Sequence, residues 1–563
     1  MRISTVFALG GLLRLALGIS LLVGGPGFAQ EPLADTVSAR IQSLLREGRH
    51  PRLRWGNLAD YQTALIELYR QNAWLPLWIR DGKPTAQAEA VIASLAEADD
   101  KGLVAADYDV ELLRQWSTAP PWAAGDGREM AEFDVALSVA AMRYTANLYW
   151  GRINPRTVGF GLSIEPKRVD LPNLVQKIAQ SDRPKALIDG LEPKLPLYLA
   201  LKSALVRYRA LAKETPLPPL AFPAKFSPGE RHRDIPALRR LLFALGDLPE
   251  ITPGLGDSEL YDPALAEAVK SFQQRHGLGA DGVIGKGTLA RLTTPLTERV
   301  EQIQLGLERL RWLPDSIRGL YLIVNIPSFQ LYGSRDGDGF GHYDIQMNVI
   351  VGEAVDGRHT PVFHADMTYV IFHPYWNVPH KITVKEFLPA IRRDPAYLAR
   401  HNLEIVPNFA PNAPVYTPTD ETLAMLASGV LKLRQKPGPR NALGLVKFAF
   451  PNNNNVYLHS TPSKGLFQRT RRDFSHGCIR VQDPVRLAEW VLAEQGEWTR
   501  ERIMAAMAGQ NPRTVTLKRP IPVYIFYSTV LADRSGRVSF YEDIYGHDRL
   551  LRTLLAKGFP YPT

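Results

Sequence analysis

The sequence predicts a multidomain α+β protein: a helical N-terminal scaffold, a small three-helix module, and a mainly-β C-terminal domain with a helical, lid-like insertion. Three observations carry this. The chain has 563 residues, enough for about three domains. A proline-rich stretch from Pro216 to Pro228 separates two helical regions. After Leu320 the apolar residues stop recurring at three-and-four spacing and instead alternate or run continuously, as strands do.

Taken in order, the chain opens with Arg2, an apolar run from Leu15 to Gly24 and a small-x-small site at Gly27-Phe28-Ala29, which predict a secretory signal peptide over 1–29. A retained anchor is the alternative, although Arg14 leaves the apolar run short for a membrane span. Export bounds the compartment and the partners. With Cys478 as the one cysteine, no internal disulfide can form, so the thiol is either reactive or hidden. A net charge of +10 on an exported chain suits an anionic envelope polymer; export argues against nucleic acid as the partner.

From 30 to 225 the pattern is helical, with apolar faces in Asp60–Tyr69, Ala86–Ala96 and Phe133–Leu148, and no catalytic spacing in any of them. Residues 230–294 read as three short helices; Asp262-Pro263 starts the second and Gly277 ends it. A helix from Leu296 to Leu313 presents Val300, Ile303, Leu307 and Leu310 on one face and can complete the scaffold. The β domain then runs from 318 to 563. Its insertion, 381–435, carries helical patches at Val384–Arg393 and Glu421–Leu433 around a proline-rich middle from Val406 to Pro418. It is either a lid or static packing.

The chemistry gathers at Tyr457-Leu-His459-Ser460 and Ser475-His476-Gly477-Cys478-Ile-Arg480. A nearby histidine or other cation can lower a thiol pKa from about 8.5 to roughly 3.5–7.5, which makes it a nucleophile at neutral pH. His476 lies two residues before Cys478, on the same face of an extended segment; His459 reaches it only if the chain doubles back. Both remain open as the base on this ground. Arg471 and Arg472 would depress the thiol further if they point inward, and form a solvated loop if they point outward. Gly477 permits close backbone approach, and the N–H groups of Gly477 and Cys478 are candidates for an oxyanion hole.

This pair of segments resembles the signature of the L,D-transpeptidase catalytic domain. Tyr375-Trp376-Asn377-Val-Pro379, the run from Arg434 through Asn441 and Asp543-Ile-Tyr-Gly546 are similar to the large proteobacterial members with an N-terminal scaffold domain. Phe272-Gln-x-x-His-Gly with Asp281-Gly-Val-Ile-Gly285 resembles a small peptidoglycan-binding module. The resemblance implies that Cys478 is the nucleophile and His459 the base, oriented by the Ser460 carbonyl. His476 and Ser475 then act from behind, and Tyr457, Arg480, Trp376 and Asn377 are candidates for substrate contact. It further implies a periplasmic protein that needs no cofactor, takes peptidoglycan stem peptides as donor and acceptor, and is open to acylation by carbapenems.

Other chemistries lack their motifs. No H-E-x-x-H, paired-cysteine or G-x-S-x-G pattern occurs, and no S-x-x-K occurs with K-T-G, so zinc hydrolases and serine acyltransferases have no support. Two rivals stand beside the transpeptidase reading: a carboxypeptidase or endopeptidase using the same thioester, and a non-catalytic wall-binding scaffold.

Overall fold

The computed structural model describes residues 33–122, 127–161, 169–214, 219–315, 317–337, 343–355 and 357–561; the expected signal segment lies outside them. Among the described residues no helix is long and apolar enough to cross a membrane.

The scaffold is built round the helix Gly127–Trp150, whose residues from Met130 to Leu148 are all buried. A helix surrounded on every side must answer its polar groups internally. Asp134 accepts hydrogen bonds from the Tyr69 hydroxyl at 2.7 Å and from the amides of Leu77 and Trp78 at 2.9 and 2.7 Å. Arg143 pairs with Asp60 at 2.8 Å.

The helix Leu296–Arg311 returns from the module and packs on the helix Pro196–Glu214. It also carries Glu308, Arg309 and Arg311 into full burial, which costs several kcal/mol per charge unless each is paired. Glu308 accepts the Ile153 N–H at 3.1 Å, Arg309 meets Asp548 at 2.5 Å, and Arg311 donates to the Tyr198 hydroxyl at 3.1 Å. One helix therefore fastens the scaffold to the C-terminal domain, and their apolar core is continuous from Val37 to Tyr561.

The module and the insertion each have a separate core. In the module, helices Ile235–Leu245, Pro263–Arg275 and Lys286–Leu292 pack together, with Asp262 capping the second by accepting the Leu265 N–H at 2.9 Å. The linker reading of 216–228 is corrected here. Leu220, Phe222 and Phe226 are buried in the module core, and Lys225–Phe226 pairs with Ile284–Gly285.

The C-terminal sheet has nine strands: β1 (Gly319–Asn325), β2 (Gln330–Gly337), β3 (Ile345–Gly352), β4 (Phe363–Phe372), β5 (Val446–Ala449), β6 (Leu458–His459), β7 (Asp473–Ser475), β8 (Ile479–Val481) and β9 (Arg513–Phe526). Their order is β7-β3-β8-β6-β5-β4-β9-β1-β2, and pairing of β2 with β3 closes the ring. The alternating patches at 515–517 and 523–527 read as two strands but form one. Pro520 and Pro522 break the pattern, and β9 absorbs them in a register shift between Thr516 and Ile521.

The insertion is not purely helical, contrary to the pattern read from its sequence. Leu403–Val406, Lys432–Gln435 and Trp376–Asn377 form an antiparallel sheet, because the patch from Glu421 ends as helix at Ala427, turns through Gly429 in left-handed conformation and continues extended. Its own core, including Leu388, Ile391, Ile405, Leu426 and Leu433, makes it a small folded layer.

Candidate active site

Strand register assembles the site. β5 runs antiparallel to β6, with Lys447 opposite His459 and Phe448 opposite Leu458; β8 runs parallel to β6, with Ile479 opposite Leu458 and Arg480 opposite His459. The Ile479 N–H donates to the Tyr457 carbonyl at 3.1 Å, which continues the ladder past the strand end. Side chains alternate between faces. Phe448, Leu458 and Ile479 point into the core with no exposed surface, so Lys447, Tyr457, His459, Cys478 and Arg480 share the opposite face.

His459 is held by backbone. Its Nδ1 lies 2.6 Å from the Ser460 carbonyl, which can only accept, so that nitrogen carries the proton and Nε2 keeps its lone pair. Burial, followed by the charge of Arg480, pushes the imidazole pKa down to about 3. The ring is neutral at physiological pH. Ser460 is itself fixed: its Oγ accepts from the amides of Leu445 and Val446 at 2.7 and 3.2 Å and donates to the Leu443 carbonyl at 3.1 Å. Gly444 is needed beneath it, because a Cβ there would collide with that hydroxyl.

Cys478 is half-buried, and burial pushes its thiol above the ordinary cysteine value. The N–H and hydroxyl of Tyr457 and the charges of Lys447 and Arg480 pull the other way without overcoming burial. At rest the site therefore holds a neutral thiol and a neutral imidazole. This corrects the expectation of a depressed thiol. The tandem arginines do not contribute to it: Arg471 pairs with Asp473 at 2.8 Å, and the buried Arg472 donates to the carbonyls of Phe329 and Val349 at 3.1 and 3.2 Å.

The remaining predicted residues divide. Ser475 Oγ donates to the Cys478 carbonyl at 2.5 Å and accepts the Gly477 N–H at 3.1 Å, bracing the turn that carries the thiol. The Gly477 N–H is thus engaged away from the thiol, which leaves the Cys478 N–H without a hydrogen bond among the described residues. His476 is exposed and bonds Glu386 of the insertion at 2.7 Å, so it does not join the thiol face. Trp376 reaches that face by hydrogen-bonding the Tyr457 hydroxyl, whereas exposed Asn377 is taken up in pairing with Arg434 of the insertion.

Sequence reasoning missed Lys447, whose Nζ lies 3.8 Å from the Tyr457 ring centroid; the alternation of Lys447-Phe-Ala-Phe places it on the polar face and was the available signal. It also missed Thr360, which donates to the Gly477 carbonyl at 2.8 Å, and Tyr545, whose hydroxyl donates to the Gly352 carbonyl at 2.6 Å and accepts the Thr360 N–H at 3.2 Å. No local pattern marks Thr360, whereas Tyr545 lies in the Asp543-Ile-Tyr-Gly546 segment, whose resemblance carries no role for its hydroxyl.

A neutral imidazole and a thiol on one face, with cations facing both and the thiol directed at the Asn455 carbonyl at 3.7 Å, are parts that acyl transfer through a thioester can use. The Arg480 guanidinium makes neither a hydrogen bond nor an ion pair among the described residues, which leaves it available to a carboxylate.

Three segments of the chain are similar to known families. Residues 319–525 match the L,D-transpeptidase catalytic domain, residues 231–292 the "Putative peptidoglycan binding domain", and residues 63–205 the scaffold domain. A Haemophilus influenzae protein named "Putative L,D-transpeptidase" is 34% identical over 250 residues, which cover 44% of this chain and 48% of that protein. The chain thus spans about half the length of the curated relative it matches.

Proposed function

From a chain that carries an L,D-transpeptidase catalytic domain behind a scaffold domain and a peptidoglycan-binding domain, we propose an exported, cysteine-dependent L,D-transpeptidase that cross-links peptidoglycan between stem peptides. The observation that carries the reading is the shared face of Cys478, His459 and Arg480, set by the register of three adjacent strands.

The Cys478 sulfur attacks the carbonyl after the third residue of a tetrapeptide stem while His459 Nε2 takes the thiol proton. The C–N bond to the terminal D-alanine breaks, and that amine leaves with the proton from the imidazolium. A side-chain amine of a second stem then attacks the thioester, His459 accepts its proton, and the thiol is restored. Burial leaves both groups neutral at rest, so the thiol proton has to move to His459 before the acyl bond is complete. Arg480 engages a stem carboxylate, and the Cys478 N–H faces the developing oxyanion.

Incubation of the full chain with disaccharide tetrapeptide and analysis of the products tests the reading. The expected product is a cross-linked dimer that has lost one alanine, formed only when Cys478 is present. Tripeptide without dimer would make the protein a hydrolase, and no Cys478-dependent product would overturn the assignment.

A further inference from the structure

A cavity of about 890 Å³ among the described residues lies away from the thiol. It opens where three segments distant in sequence meet: the end of the second module helix, the outer face of β2 and β3, and the hairpin formed by Val530–Ala532 and Val538–Phe540. None of its lining residues belongs to the thiol face.

Its floor follows from strand alternation. Leu331, Ile345 and Met347 point into the core, so Gln330, Tyr332, Gln346 and Asn348 share the outer face. Gln330 stands opposite Asn348 and Tyr332 opposite Gln346. The Gln330 amide donates to Asn348 Oδ1 at 2.6 Å, and the Tyr332 and Tyr343 rings meet at 4.6 Å. The floor is therefore a row of amides beside an aromatic pair, which is unusual for a surface that needs only to be wet.

The charge is also particular. Arg472 is buried beside this floor, and its five N–H donors go to neutral oxygens: the carbonyls of Val349, Phe329, Arg469 and Thr470, and the Asn348 amide. Its positive charge has no carboxylate partner. At the rim, Glu542 bridges Arg291 of the module at 3.3 Å and Arg471 at 3.4 Å, holding cations of two domains across the opening.

Aromatic faces match the apolar faces of sugar rings, planar amides match acetamido groups and hydroxyls, and the uncompensated charge of Arg472, whose donors are all taken, draws carboxylates through its field. A volume of this size exceeds what one sugar fills and lies in the range of built ligand sites, roughly 300–1,000 Å³. We infer that this cleft is a second binding site, for a chain of N-acetylated sugars bearing carboxylated peptides, and that it seats the polymer while the thiol face takes a single stem. The inference rests on the proposed peptidoglycan substrate. Its placement fits: Arg472 and Cys478 are six residues apart, about 20 Å at most along the chain. An extended tetrapeptide spans about 14 Å.

The test uses the full chain and soluble, un-cross-linked glycan chains carrying tetrapeptides, with peptide-free glycan and free tetrapeptide as separate arms. Peptide-bearing chains are expected to bind at least tenfold more tightly than either arm alone. A Tyr343→Ala/Gln346→Ala variant, and independently Gln346→Glu, should weaken chain binding about tenfold while keeping the wild-type unfolding temperature. Wild-type affinity in both variants, or equal affinity for peptide-free glycan, would overturn the inference. Acylation of Cys478 by a single disaccharide tetrapeptide, measured on the wild-type protein, reports on the thiol site separately. The two readings can therefore fail independently.

Discussion

The thiol face and the interdomain cleft both hold cations, and they hold them differently. On the thiol face, Lys447 and Arg480 have no carboxylate within ion-pair distance among the described residues, and Lys447 rests on the Tyr457 ring. At the cleft rim, Arg291 and Arg471 share Glu542, and Arg275 is paired with Asp247 at 2.5 Å; Arg472 beneath the floor has no carboxylate but spends every donor on neutral oxygens. Paired cations hold a shape; unpaired ones hold a field ready for an incoming anion. On the two proposed readings, the difference separates a surface that positions a polymer from one that handles the charge of a reacting peptide.

Substitutions can break that comparison, beginning with the largest effect. Cys478→Ala should reduce turnover to background while leaving chain binding at the cleft intact, read by product analysis beside a binding assay. His459→Gln should lower turnover by about 10²–10⁴-fold, the range general-base catalysis contributes, with little change in chain affinity. Loss of chain binding in either variant would mean that the two surfaces are one site.

Arg480→Leu sharpens the comparison further. It should raise KM for carboxylate-bearing tetrapeptide roughly tenfold, the scale of one charge-assisted hydrogen bond, and leave KM for the amidated peptide nearly unchanged. Steady-state kinetics on the two substrates decides it.

Two smaller effects come from burial. Alkylation of Cys478 should be slow at neutral pH and rise as pH passes above the ordinary thiol range, because burial raises the thiol pKa. Rapid alkylation at pH 6 would indicate a resting ion pair instead. Stability should fall as pH drops from about 6.5 toward 4. His459 and His50 are buried with pKa values near 3 and 4, so below 6.5 the unfolded chain binds more protons than the folded one. Denaturant midpoints across that window would show the slope.

Much of the thiol face was legible in the sequence. Cys478, His459, Tyr457 and Arg480 lie in two short segments, and alternation on adjacent strands brings them together. The choice between His459 and His476 was not legible locally. Glu386, 90 residues from His476, takes that ring toward the insertion and away from the thiol face. The insertion was half legible: its helices show in the apolar spacing, but its strands are four residues or fewer and need Trp376–Asn377, outside the predicted boundary, to complete their sheet. The cleft was not legible at all, since its walls come from segments near 275, 346 and 535 that share no pattern.

Intact-protein mass spectrometry of the wild-type chain after brief mixing with disaccharide tetrapeptide tests the central claim most directly. The account predicts an adduct on Cys478 equal to the donor less its terminal alanine, lost on addition of hydroxylamine and absent from Cys478→Ala. Undiminished cross-linking by Cys478→Ala would contradict it.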